Sequence, residues 1–299
     1  MPSNVLKNLS ISTLQVLTIL ILSASSYAAT AASPLSFIES SAVPGGIAVV
    51  TLDTQQFPTS GAKPAISWNG RAVSVADNGG QYIALVGIPL STSAGNHSLS
   101  ITGVNGQKKS VSFEVNAKTY EEQRLIIKNK RKVNPDPFDM ERINKENKRL
   151  KDVKTYKADR MIADSFDWPL AGIMSSPFGL KRFYNDQARR PHGGIDIAAP
   201  EGTPILAPAD GVVVETGDYF FNGNCVFIEH GLGLQTFYAH MSRIDVEPGD
   251  RISKGQVIGA VGQTGRVTGP HLHWSVGLNA TWVNPLLVLK TDLPPPANY

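Results

Sequence analysis

"GPHLHWSVG", residues 269–277, carries two histidines one residue apart within a run that reads as a short strand. Side chains of an extended chain alternate between faces, so His271 and His273 emerge on one face with α-carbons roughly 7 Å apart. Both rings can then serve one site. The surrounding sequence supplies strand neighbours: "DGVVVET", "CVFIEHG", "LQTFYAHM" and "GQVIGAVG" are short β-rich runs punctuated by glycine and proline. No alternating helices argue for a parallel sheet, so residues 166–290 read as a mostly antiparallel β domain.

Upstream, residues 34–116 repeat the pattern with "GIAVVTL", "QYIALVGI", "HSLSITGV" and "SVSFEV" separated by "PGG", "DNGG" and "NGQ". This spacing suggests a small antiparallel sandwich. Between the two β regions the glycines vanish. From Lys118 to Arg160 there are 14 Lys or Arg against 8 Asp or Glu, half of the chain's 28 basic residues. Residues 117–165 are therefore read as a basic helical connector, in two pieces separated by "NPDP" (134–137). A chain of 299 residues accommodates two cores. The fold class expected is mainly β: an N-terminal β-sandwich, a helical linker, a C-terminal antiparallel β domain and a proline-rich tail at residues 291–299.

Residues 1–31 read as an export signal. Lys7 is the only charge before Glu39, and "LQVLTILIL" is an apolar run shorter than the roughly 20 residues that span a bilayer, followed by small residues suited to cleavage. The chain is expected to be exported from the cytoplasm. Nucleic acid is an unsuitable partner for an exported chain, and the Lys and Arg of the connector are not interleaved with aromatics that would stack on bases. The connector reads first as a solvated spacer, with contact to anionic envelope polymers as its functional alternative. The single cysteine, Cys225, sits in a probable strand and reads as a buried inert thiol.

Five of the six histidines, His192, His230, His240, His271 and His273, fall in the second β domain. "HGGIDIAAP" places Asp196 four residues after His192, too far for convergence along a straight strand, but Gly193 and Gly194 let the chain bend back. Two histidines and an aspartate form the ligand set of a catalytic zinc site, which keeps its fourth position for water. Zinc lowers the pKa of that water from about 15.7 towards 7 and polarises the carbonyl under attack. Remaining histidines can move protons. Residue chemistry alone leaves open which histidine does which job.

The succession "HGGID", "YAH" and "HLH", with "APADGVV", "GNCVFIEHG" and "TGRVTGPHLHW", resembles the lysostaphin-type zinc metallopeptidases, which cut the peptide part of bacterial cell walls. The resemblance covers about residues 166–288, and "FGLKRFYNDQARRPHGGID" is similar to exported Gram-negative members, which implies a periplasmic location. It implies His192, Asp196 and His273 as ligands of one zinc ion per chain, and His240 and His271 as the catalytic pair. Arg182 and Asn185, just upstream, are candidate substrate contacts, while His230 is left as structural. The expectation is a zinc-dependent endopeptidase acting on peptidoglycan stem peptides or cross-links. Its rivals are a catalytically silent relative that binds the wall or regulates another hydrolase, and a zinc peptidase or amidase with another substrate. Oligomeric state is not legible.

Overall fold

A computed structural model describes residues 35–53, 63–78, 81–103, 106–290 and 294. The export segment read at residues 1–31, and all of the tail read at residues 291–299 except Pro294, lie outside the described residues.

Six strands come first: β1 (Ile47–Thr51), β2 (Ala65–Trp68), β3 (Arg71–Asn78), β4 (Gln81–Gly87), β5 (Gly95–Thr102) and β6 (Lys108–Val115). They pair antiparallel in the order β1-β4-β3-β2-β5-β6. One core holds Ile66, Trp68, Leu99 and Ile101 together with Tyr82, Ala84 and Val86 of β4. The alternate residues of β4, Ile83 and Leu85, join Val276 and Leu278 in a second core. Burial on both faces explains why "QYIALVG" is a continuous apolar run and not an alternating one. The approach is close: a Cβ on Gly87 would lie 2.5 Å from the carbonyl oxygen of Leu278.

The connector departs from the sequence expectation in its first half. Only one α-helix forms, α1 (Pro137–Thr155), preceded by a strand, β7 (Glu122–Leu125), and a 3-10 turn at Lys130–Lys132. Glu122 and Arg124 are exposed while Gln123 and Leu125 are half-buried, the period of two that a strand requires. "NPDP" does not separate two helices; it starts one. The Asp136 side chain accepts from the Asp139 amide at 2.8 Å, and Pro137 occupies the first turn, where its missing N–H costs no hydrogen bond.

The remaining strands are β8 (Ile173–Ser176), β9 (Lys181–Tyr184), β10 (Gln187–Ala188), β11 (Ile195–Ala198), β12 (Pro204–Leu206), β13 (Gly211–Tyr219), β14 (Gly223–Glu229) and β15 (Leu234–Met241), followed by β16 (Arg243–Ile244), β17 (Arg251–Ile252), β18 (Val257–Ala260), β19 (His271–Leu278) and β20 (Thr281–Val283). The main sheet runs β17-β13-β14-β15-β19-β11-β8, with β20 also paired to β19. The histidine-bearing strand thus lies between β15 and β11. Leu150 and Val153 of α1 pack over Phe227, Phe237 and Ala239 on this sheet, in a cluster that also contains fully buried Cys225. Burial pushes the Cys225 thiol pKa up. An Arg149–Glu215 ion pair at 2.7 Å joins α1 to β13. Among the described residues no helix is long and apolar enough to cross a membrane.

Candidate metal centre

Asp196 on β11 and His273 on β19 are direct register partners, so their side chains share a face with Cβ atoms about 5 Å apart. His192 precedes β11, and the chain turns at Gly193–Gly194 before the strand begins. A Cβ on Gly194 would sit 2.4 Å from the carbonyl oxygen of Trp274, so only glycine lets the turn lie this close to β19. Three donor atoms converge as a result. His192 Nε2 is 2.9 Å from Asp196 Oδ1 and 3.0 Å from His273 Nδ1, and His273 Nδ1 is 2.8 Å from Asp196 Oδ1.

The far side of each donor is also held. His192 Nδ1 lies 2.8 Å from the Pro177 carbonyl, and His273 Nε2 lies 2.8 Å from Ser275 Oγ. Asp196 Oδ2 accepts from Arg182 Nη2 at 2.6 Å. Burial works against ionisation of the Asp196 carboxyl, but hydrogen bonds and charge from His192 and His273 hold it well below the usual carboxylate range. Burial pushes His273 down to about 4, which favours the neutral imidazole that a metal requires. Two imidazole nitrogens and one carboxylate oxygen are a zinc-type donor set. Tetrahedral ligands about 2.05 Å from zinc lie about 3.3 Å apart, so the three atoms need to open by only a few tenths of an ångström.

Two further imidazoles face the cluster. The His271 and His240 rings are 4.9 Å apart, and His240 is 6.1 Å from His273. His271 shares its face with His273, and its Nε2 is 3.9 Å from Asp196 Oδ1. His240 arrives differently. Its φ of 66° breaks the alternation of β15, which pairs Ala239 with His273 and would otherwise send His240 to the opposite face. Each ring is anchored through Nδ1 at 2.8 Å from a backbone carbonyl, Thr264 for His240 and Gly269 for His271. An Nδ1–H donated to those carbonyls leaves Nε2 as the acceptor on both rings. Burial pushes His240 down to about 3, with the neighbouring His271 and His273 adding to the effect.

The two upstream candidates are already engaged. Arg182 reaches Asp196, Ser176 and Gln123, and the Asn185 amide makes a two-way bond to the backbone of Ile127 on the connector. His230 stands apart: its Nδ1 meets the Asp210 carbonyl and its Nε2 meets Thr236 Oγ1, both at 2.7 Å. Ser176, Ser275 and Gln123 were absent from the sequence-derived set. Ser275 was legible, since it lies two residues beyond His273 on one strand face; Ser176 and Gln123 depend on strand pairings that no spacing reveals.

The profile of peptidase family M23 matches residues 190–285, and that of the peptidase family M23 N-terminal domain matches residues 40–118. The DD-carboxypeptidase/endopeptidase Mpg of Neisseria meningitidis is 47% identical over 115 residues, which is 38% of this chain and 26% of Mpg. The peptidoglycan DD-endopeptidase ShyA of Vibrio cholerae is 43% identical over 122 residues, 40% of this chain and 28% of ShyA. The aligned stretches thus span little more than a quarter of these curated relatives. A crystal structure described as a peptidase M23 from Pseudomonas aeruginosa matches far more extensively: 36% identity, TM-score 0.67, 86% of this chain and 98% of that one. At that identity, and with nearly the whole of that structure matched, the chain belongs to peptidase family M23.

Proposed function

We propose that this protein is an exported, periplasmic zinc endopeptidase that hydrolyses peptide bonds of peptidoglycan, of the DD type named for its relatives Mpg and ShyA. His192, Asp196 and His273 would hold one zinc ion per chain, with His240 and His271 as the catalytic pair. The observation that carries the reading is the convergence of His192 Nε2, Asp196 Oδ1 and His273 Nδ1 beneath two more imidazoles. Zinc in that position supplies a Lewis acid and brings the pKa of water towards neutrality. The chain supplies the rest. The Nε2 atoms of His240 and His271, left free by their Nδ1 anchors, can accept a proton from the attacking water. Once protonated, the same Nε2–H can donate to the oxyanion that develops on the scissile carbonyl or pass its proton to the leaving amine. Their fixed orientation removes the reorganisation that free imidazoles would need.

Purified protein incubated with isolated sacculi should release muropeptides detectable by mass spectrometry, lose that ability in chelator and regain it with zinc. Asp196→Ala should lose both the product and most zinc uptake, since one of three protein ligands is gone. A zinc-loaded wild type that releases nothing would favour the silent wall-binding alternative. The masses of the products name the bond.

A further inference from the structure

We infer that Gln123, on the connector strand β7, is a positioning residue for the metal centre: it aims Arg182 at Asp196 Oδ2 and so leaves Oδ1 to the cluster. The inference rests on the metal reading proposed above and adds to it a residue outside both matched family segments, which cover residues 40–118 and 190–285.

The argument begins with register. β7 pairs parallel to β9, with Gln123 beside Arg182 and Leu125 beside Tyr184. Period-two alternation turns Glu122, Arg124 and Lys181 to solvent and brings Gln123 and Arg182 to the inner face together. There the Gln123 Oε1 accepts from Arg182 Nε at 3.0 Å, and its Nε2 donates to Ser176 Oγ at 3.2 Å. Arginine has no acceptor, so the amide can satisfy both neighbours in only this orientation. Arg182 Nη2 then donates to Ser176 Oγ at 3.0 Å and to Asp196 Oδ2 at 2.6 Å. Ser176 itself is the register partner of Asp196 on β8. A planar guanidinium fixed at Nε has its Nη2 direction fixed as well, which distinguishes this arrangement from a flexible surface arginine. The carboxylate rotation that presents Oδ1 to His192 and His273 is thereby set from a strand distant in sequence.

Coupling of this kind is reciprocal. Seating of β7 tightens the metal site, and an ion in the site must tighten the seating of β7.

The test compares zinc affinity, by competition with a chromophoric chelator, in folded full-length variants whose melting temperatures are measured in parallel. Gln123→Met keeps the size and removes both bonds; zinc affinity should fall about tenfold or more, in the range of outer-layer partners of metal ligands. Gln123→Glu keeps the acceptor for Arg182 and should stay within about threefold of wild type. In an Arg182→Met background Gln123→Met should add nothing, because it acts through that side chain. Hydrogen exchange should show β7 amides gaining protection on zinc addition in wild type and not in Gln123→Met. Wild-type zinc affinity in folded Gln123→Met, or a fully additive loss in the Arg182→Met background, would overturn this inference alone. A wild-type protein that takes up no zinc would overturn the metal reading and the inference with it.

Discussion

His240 occupies a left-handed backbone conformation at φ 66°, a state that costs a non-glycine residue free energy and persists where its surroundings demand it. The demand is visible: without that turn the ring would leave the face that carries His271 and His273. His240→Ala and His271→Ala should therefore retain zinc and lose turnover by about 10²- to 10⁴-fold, the usual scale of a positioned proton-transfer group. Metal analysis beside kcat separates the two effects. If His271→Ala loses zinc while His273→Ala keeps it, the proposed roles are reversed. The chemical identity of these side chains was legible from "HGGID", "YAH" and "HLH", but not how His240 reaches the cluster, because alternation alone places it on the wrong face.

Glu229 and His230, at the end of β14, are buried ionisable neighbours whose pH responses oppose each other. The Glu229 carboxylate accepts from the amides of Ala158 and Gly233, fastening the end of the connector to the sheet, yet burial raises its pKa to about 6. Its folded pKa exceeds the ordinary 4.5, so its contribution is full below that value and is lost as pH rises through 6. Burial lowers His230 from 6.5 to about 4, so its contribution is present above 6.5 and is lost as pH falls towards 4. Between pH 6 and 4.5 these two groups contribute slopes of opposite sign to the pH dependence of wild-type stability. Urea unfolding should find Glu229→Gln declining more steeply with acid than wild type, and His230→Asn less steeply; the reverse order would refute the assignment. The strands of the main sheet were readable from their β-rich runs and turn residues. The first half of the connector was not, because "EEQRLII" carries enough charge to resemble a solvated helix, and its strand character depends on the distant edge of β9.

Through β4, which lies between β1 and β3, the N-terminal sheet contributes Ile83 and Leu85 to the core that holds Val276 and Leu278 of β19, so the two β regions are not independent folding units. Leu85 is fully buried, and Leu85→Ala should cost about 2–5 kcal/mol. Calorimetry should record one cooperative transition that this substitution shifts as a whole; two separated transitions, with only one displaced, would contradict the shared core. Thiol reagents offer another view of the same event. Cys225 is the only cysteine, has no exposed surface, and has its thiol pKa pushed up by burial. It should stay silent towards such reagents until the whole chain opens, which makes it a built-in clock for global unfolding. Its silence also leaves the native surface free for chemistry of the experimenter's choosing: dyes or spin labels placed through Lys145→Cys on α1, or through pairs of such substitutions, can report distances without first removing the native thiol.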